Sequence, residues 1–329
     1  MTEALNRFIG ILLVAFIVSA PARDAFADPP QHFVVFGDSL SDPGNAFVVL
    51  KKVGEPAFEV PPFSSLIPDA PYARGALHFS NGPTWIEQLS LVDHSLPTAG
   101  PALVVPTVFS NSAVGGARAR RSGDLDLSTQ VNLFLQDFHG SGPADSLYVI
   151  WIGSNDVRDA LEALRGDPSG ATSGFIVQQA ISSISNNLLA LYNGGARRFL
   201  IANAPDIGLA PAVQLQGLGA QGAARSLSLL FNGALEQLLS GLSSMPYVQF
   251  VRLDVFTILT HVVASPASEG LRNVQDPCIR LNTFVHAYCS RPDQFLFWDG
   301  IHPTVAGHRI LAKHANAALN HSSTFATAH

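Results

Sequence analysis

The residues with the clearest chemical potential are a serine, a histidine, an aspartate, a glycine and an asparagine in four separated segments. Ser39 lies in Gly37-Asp38-Ser39-Leu40-Ser41-Asp42, directly after an apolar run. Its hydroxyl is a weak nucleophile until a base takes the proton. His302, in Trp298-Asp299-Gly300-Ile301-His302-Pro303, can be that base. Asp299, three residues earlier, can hold the imidazole Nδ1–H and set its tautomer. Gly116, in Asn111-Ser112-Ala113-Val114-Gly115-Gly116, can offer a backbone N–H with no side chain in the way. Asn155, in Gly153-Ser154-Asn155-Asp156, can offer a side-chain N–H. With the Ser39 amide these make three donors for a developing oxyanion. Each segment also has an ordinary reading. Asp38-Ser39 can be a helix N-cap, and Gly115-Gly116 and Asn155 can be turn residues. Asp299 and His302 can form a structural hydrogen bond or half of a metal site. The convergence of all four segments is what points to catalysis.

Such a site needs a scaffold that gathers distant segments. Short, nearly continuous apolar runs recur at His32–Phe36, Leu103–Phe109, Ser146–Ile152, Arg198–Asn203 and Tyr247–Leu253. They read as strands buried on both faces of a parallel sheet. Pro106 argues that the second run is an edge strand or starts late. Helical patterns fall between the runs, at Pro83–Leu91, Leu127–Asp137, Ser173–Tyr192, Ala223–Leu242 and Val305–Leu319. Alternating strand and helix predicts an α/β fold with helices on both sheet faces. In such folds ligands bind beyond the carboxyl ends of the strands, and the four segments follow or flank those ends.

Composition narrows the function classes. Hydrophobic residues make up 47% of the 329, and charged residues only 13%. That excludes a disordered polyampholyte. The net charge of −6 and scattered basic residues give no nucleic-acid footprint. Two cysteines cannot build a thiolate zinc cluster or a dense disulfide scaffold. Phe8–Ala22 carries no charge and is too short to span a bilayer. Arg7 before it and Ala25-Phe26-Ala27 after it make residues 1–27 a secretory signal peptide, cleaved after Ala27; the competing reading is an uncleaved anchor. No later segment is a candidate transmembrane span. Export to the periplasm or the medium makes a Cys278–Cys289 disulfide the expected state, with two free buried thiols as the alternative. Closing so short a loop is worth roughly 3 kcal/mol.

The segments also resemble a known family. Gly37-Asp38-Ser39-Leu40, with Ser41-Asp42-Pro43-Gly44-Asn45, is similar to block I of the GDSL, or SGNH, hydrolases. Asn111 to Ala117 resembles block II, Gly153 to Asp156 block III, and Trp298 to Thr304 block V, in the family's order. The resemblance runs from about His32 to Leu319. Phe79-Ser80-Asn81-Gly82-Pro83-Thr84-Trp85 and Gly195 to Phe199 look like its larger secreted branch of phospholipase- and esterase-like enzymes. The resemblance implies a three-layer αβα sandwich with a flavodoxin-like parallel sheet of about five strands. It implies ester hydrolysis without a cofactor, with Gly116 rather than Gly115 as the block II donor. The serine is not on a Gly-x-Ser-x-Gly elbow. Because the chain stops soon after its last helical pattern, the C-terminal barrel of some bacterial members is not expected.

The expected protein is therefore a single hydrolase domain over residues 28–329, with 321–329 as a disordered tail and a monomer favoured. Its substrate is an ester: a lipid, an acylated small molecule or an acylated polysaccharide. Acyl transfer to an alcohol, a metal-dependent hydrolase and a non-catalytic binding module are the competing readings. Arg118, Arg120 and Arg121 read as a solvated loop before a substrate anion site. His308 and His314 read as solvent-facing or capping, and His78 has no evident partner. Asp42 and Asn45 are expected to order the loop after Ser39. The long segments Phe47–Phe79 and Phe256–Phe297 are candidates to shape substrate choice, the first as an acyl pocket or as packing on the sheet. Ile207–Ala224 is read as either a lid or an ordinary helix with its lead-in.

Overall fold

The structure, a computed structural model, describes residues 32–49, 77–92, 99–143, 145–279 and 288–326. In chain order the elements are β1 (His32–Gly37), α1 (Asn45–Val49), α2 (Trp85–Val92), α3 (Leu127–Asp137), β2 (Ser146–Trp151), α4 (Ser154–Ala163), α5 (Ala171–Asn193), β3 (Arg198–Ala202), α6 (Pro211–Gln214), α7 (Leu218–Leu242), β4 (Gln249–Leu253), α8 (Val255–Ala264), β5 (Asn273–Pro277), β6 (Phe295–Phe297) and α9 (Val305–Ala326). The signal-peptide segment and most of Phe47–Phe79 lie outside the described residues.

β1 to β4 form a parallel sheet in that order, with Val35 opposite Val149, Val149 opposite Leu200, and Leu200 opposite Val251. They coincide with four of the expected apolar runs to within two residues. The other run, Leu103–Phe109, is not a strand. Pro106 has no N–H to donate, and Thr107 takes a left-handed backbone with φ 65°. The chain instead docks on the open edge of β1 a few residues later. The Val35 amide donates to Ser110 O and the Ser112 amide to Val35 O, both at 2.8 Å. Among the described residues the sheet therefore has four full strands and a short edge at 110–112, with Pro101 bridged to Asn111 on its outer side. That edge lies on the far side of β1 from β2, so the winding direction reverses at β1. This is the crevice where an open α/β sheet binds ligands.

Alternation along the strands divides the core into two. Val34, Phe36, Tyr148, Ile150, Phe199 and Ile201 face α3, α4, α5 and α7. Phe33, Val35, Leu147, Val149, Trp151 and Leu200 face α2, the start of α8, and α9. Each fully buried aliphatic or aromatic side chain is worth about 1.5–3 kcal/mol, so both faces hold the sheet strongly. The result is a three-layer αβα arrangement. α4 and α8 were not foreseen in the sequence. The charges of α4 hide its apolar stripe, and α8 falls in a span read as loop. α9 continues to Ala326, so residues 321–326 extend a helix rather than begin a tail. Among the described residues no helix is long and apolar enough to cross a membrane.

A satellite unit precedes α9. β5 and β6 pair in parallel, and Cys278 and Cys289 are bonded across an 11-residue separation. The Cys278 and Ile279 amides donate to Phe297 O and Trp298 O at 2.9 and 2.8 Å. Tyr288 stacks on Trp298 with ring centroids 5.4 Å apart. The described ends of the disulfide loop, at Cys278, Ile279 and Tyr288, are thus laid against the peptide that leads directly into Asp299.

Candidate active site

Ser39 lies two residues past β1, in a turn closed by the Ser41 amide donating to Asp38 O at 3.1 Å. It does not open a helix, as its sequence context suggested. Pro43 biases Asp42 away from helical backbone, Gly44 has φ +114°, and α1 starts only at Asn45. The end of β1 is pinned from below. A Cβ on Gly37 would meet the Trp151 carbonyl oxygen at 2.6 Å, so only glycine lets β1 and β2 approach this closely. Gln130, buried on α3, donates to Gly37 O at 2.8 Å and accepts from Gly37 N at 3.0 Å. Nothing in the sequence signalled that brace, which links positions 93 residues apart.

The loop carrying His302 folds back to meet this turn. His302 Nε2 is 2.8 Å from Ser39 Oγ, and Nδ1 is 2.6 Å from Asp299 Oδ2. A carboxylate only accepts, so Nδ1 carries the hydrogen and Nε2 accepts from the serine hydroxyl. Asp299 Oδ1 accepts from the Ile301 and His302 amides, both at 2.7 Å, which fixes the carboxylate before it meets the ring. All three side chains are buried. The Phe79-to-Trp85 segment braces the same loop. Ser80 Oγ donates to Pro303 O and Asn81 Oδ1 accepts from Val305 N, both at 2.8 Å. Phe79 packs on the His302 ring with centroids 5.3 Å apart.

Asp42 and Asn45 order the loop after Ser39, as expected. Asp42 Oδ1 accepts from Gly44 N at 2.8 Å and Asn45 N at 2.6 Å. Its Oδ2 accepts from Ala46 N at 3.1 Å and Gly115 N at 2.8 Å. Asn45 Nδ2 donates to Asn111 O and Ala113 O at 2.8 and 2.9 Å. These bonds tie the Ser39 loop to the Gly115-Gly116 loop. They also distinguish the two glycines. The Gly115 amide is spent on Asp42, whereas the Gly116 amide donates to nothing among the described residues. Gly116 has φ +84°, a backbone that favours glycine. Among the described residues the Ser39 amide is likewise unengaged. Asn155, the second residue of α4, donates one Nδ2 hydrogen to Ala117 O at 2.8 Å and keeps the other. Buried Asp156 accepts from Ala119 N at 2.7 Å, locking the Gly116 loop to α4.

The structure therefore joins Ser39, His302 and Asp299 by direct hydrogen bonds. It places Asn155 in the wall of the same cavity and ties Gly116 to both through its loop neighbours. The cavity has a volume of about 140 Å³. Leu161, Ile207 and Val213 line one side, and Ile258, Leu259 and Ile310 the other. Its described apolar wall is thus built from α4, α6, α8 and α9. The Ile207–Ala224 segment is a turn, a short helix and the start of α7, and it forms part of this wall.

Several charged residues differ from their sequence readings. Arg118 and Arg120 are not a solvated loop. Arg118 Nε donates to Asp159 Oδ2 at 2.9 Å, and Arg120 bridges Asp156 and Asp159 at 2.9 and 2.6 Å. His308 is buried on the inner face of α9, where burial pushes its pKa down to about 3 and keeps it neutral. His78 pairs with Glu87, its Nε2 2.9 Å from Oε2.

Asp38, beside the serine, has a buried Oδ2 without a partner among the described residues, and its Oδ1 accepts from Leu40 N at 3.0 Å. Burial pushes its carboxyl up from 3.8 to about 7. The folded state then holds this proton more tightly than the unfolded chain. Stability should fall as pH rises from about 4 through 7, and the buried carboxylate costs about 4 kcal/mol above that window. Urea unfolding of Asp38→Asn is expected to show a flatter pH profile and greater stability than the parent at pH 8. Parallel profiles would show that Asp38 titrates normally.

A buried serine, histidine and aspartate joined at the carboxyl ends of a parallel sheet, beside an apolar cavity, form a class of site able to transfer acyl groups. The family model described as GDSL-like Lipase/Acylhydrolase matches residues 33–315. The chain belongs to that family and is a carboxylic ester hydrolase. It is similar to a phosphatidylcholine-sterol acyltransferase of Aeromonas hydrophila, at 28% identity over 81% of this chain and 70% of that protein. It is also similar to a GDSL esterase/lipase of Arabidopsis thaliana, at 25% identity over 96% of this chain and 97% of the plant enzyme. Among solved structures, a catalytic mutant of the acetylxylan esterase Axe2 of Geobacillus stearothermophilus aligns with a TM-score of 0.47 and 17% identity, covering 89% of this chain and 95% of that one.

Proposed function

We propose that the protein is an exported serine ester hydrolase that works through an acyl-enzyme on Ser39. The observation that carries this reading is the unbroken line from Asp299 through His302 to Ser39, ending at the apolar cavity. Ser39 Oγ attacks the ester carbonyl carbon as its proton passes to His302 Nε2. Asp299 stabilises the imidazolium. The Ser39 and Gly116 amides and the second Asn155 N–H receive the oxyanion. Collapse breaks the bond to the alkoxy oxygen, which leaves with the proton from His302. Water, deprotonated by His302, then releases the acid and restores the serine.

The cavity takes the acyl chain in this reading. A space of about 140 Å³ is near the size that admits a benzene-like group, so short-to-medium acyl chains fit better than long ones. The test is hydrolysis of 4-nitrophenyl esters from acetyl to palmitoyl, with and without EDTA. Turnover should peak between butyryl and octanoyl and be indifferent to the chelator. Val213→Trp, which fills one wall, should move the peak toward acetyl by at least tenfold in relative kcat/KM. An unmoved profile would take the acyl chain out of this cavity, and loss of activity in EDTA would favour a metal-dependent reaction.

Export is part of the same reading. It is supported by the apolar Phe8–Ala22 run before Ala25-Phe26-Ala27 and by the Cys278–Cys289 disulfide, which persists in oxidising compartments. Transfer to an alcohol is a second reading, favoured by the Aeromonas relative's name. Adding 1-hexanol to the assay separates the two: a transferase forms hexyl ester at the expense of free acid.

A further inference from the structure

We infer that Arg158 is an anion subsite, and that the ester substrate carries a phosphate or carboxylate beside the scissile acyl group. The inference rests on the ester-hydrolase reading above and deepens it. Arg158 lies on α4, one turn beyond Asn155, and lines the cavity that Ser39 and His302 open into. The cavity it lines is mostly apolar, and its side chain is 30% exposed. An arginine so placed needs a counter-charge.

Among the described residues none lies at hydrogen-bond distance. The nearest carboxylate is Asp159, with Arg158 Nη2 3.9 Å from Oδ1. Asp159 is already taken. Its Oδ1 accepts from Arg118 Nη2 at 3.2 Å, and its Oδ2 accepts from Arg118 Nε at 2.9 Å and Arg120 Nη2 at 2.6 Å. The other acidic groups of the cavity wall are engaged or neutralised. Glu162 pairs with Arg165 at 2.9 Å, and Asp206 pairs with Arg225. Asp38, 1% exposed, offers an Oδ2 with no partner among the described residues. Burial pushes its carboxyl up to about 7, so near neutral pH it offsets the arginine's charge only in part. Among the described residues, a guanidinium fork without a hydrogen-bonded carboxylate thus lines the same cavity as the reacting serine. An oxyanion group satisfies this fork, because arginine matches phosphate and carboxylate geometry bidentately. Arg118 and Arg120, the cluster the sequence brings forward, cannot serve because their charge is used inside the protein.

The test compares three esters with the same hexanoyl groups on the disulfide-bonded protein: 1,2-dihexanoylglycerol, its 3-phosphate, and 2,3-bis(hexanoyloxy)propanoate. The parent enzyme should prefer at least one anionic ester, and inorganic phosphate should inhibit competitively. The preferred ester tells a phosphate from a carboxylate source. In Arg158→Gln the anionic-to-neutral ratio of kcat/KM should fall about tenfold, the scale of a lost charge-assisted hydrogen bond, and phosphate inhibition should vanish. Arg158→Lys should retain part of the preference. An unchanged ratio in Arg158→Gln overturns the inference, as does an equal loss on all three esters, which would mark a structural role. A parent enzyme with neither anion preference nor phosphate inhibition overturns it without any variant. Activity that survives Ser39→Ala would instead remove the underlying hydrolase reading, so the two failures are distinguishable.

Discussion

Ser39→Ala is expected to lower kcat by about 10⁴- to 10⁶-fold while leaving KM within a few-fold of the parent value. The change removes one oxygen from a buried turn that is held by backbone bonds and by Asp42, none of which passes through that oxygen. It forfeits the 2.8 Å bond to His302, worth about 1 kcal/mol, so the protein should remain folded. The cavity and the Gly116, Ser39 and Asn155 N–H groups survive, so ground-state binding should persist, and on the proposed mechanism no covalent intermediate can form. Stopped-flow release of 4-nitrophenol should therefore lose any burst as well as its steady-state rate. Residual activity above about 1% of the parent would be far more than oxyanion donors and binding alone supply, and would require another nucleophile.

Asp299→Asn is expected to lower kcat by about 10⁴-fold with little structural change. An asparagine oxygen at the Oδ1 position can still accept the Ile301 and His302 amides, so the loop keeps its shape. Its NH₂ then faces His302 Nδ1 where Oδ2 stood. The ring must accept there, which moves its hydrogen to Nε2 and presents a donor to Ser39 instead of a base. The imidazolium formed during attack also loses its anion. Steady-state kinetics, with near-UV circular dichroism as a folding check, decide the point. A loss under tenfold would make Asp299 a loop anchor rather than the partner of a catalytic base.

Much of this arrangement was legible in the sequence because its signals are local. β1 to β4 are apolar β-branched runs whose burial needs no partner to be recognised. α3 and α5 show their buried stripes directly. Asp299 and His302 are three residues apart, so their pairing follows from one tight loop. Asp42 and Asn45 reach backbone amides on their own turn. Where local rules conflict, the structure departs from the pattern. Pro106 and Thr107 broke a run that hydrophobicity alone made a strand. Pro43 and Gly44 delayed a helix that Asp38-Ser39 seemed to cap. The charges of α4 concealed a helix that places both Asn155 and Arg158.

What the sequence determined by itself was the set of reacting residue types, the parallel α/β scaffold and the family resemblance. All of these depend on composition over a few neighbouring residues. Tertiary structure decided what depends on distance between remote positions. It brought Ser39 and His302 together across 263 residues and set Gln130 under Gly37. It spent the Gly115 amide on Asp42 and left the Gly116 amide available. It buried His308 and paired Arg118 and Arg120 internally, and among the described residues it set Arg158 in the cavity wall. A hydrogen bond or an ion pair exists only where two groups meet, and that meeting is a property of the packed chain.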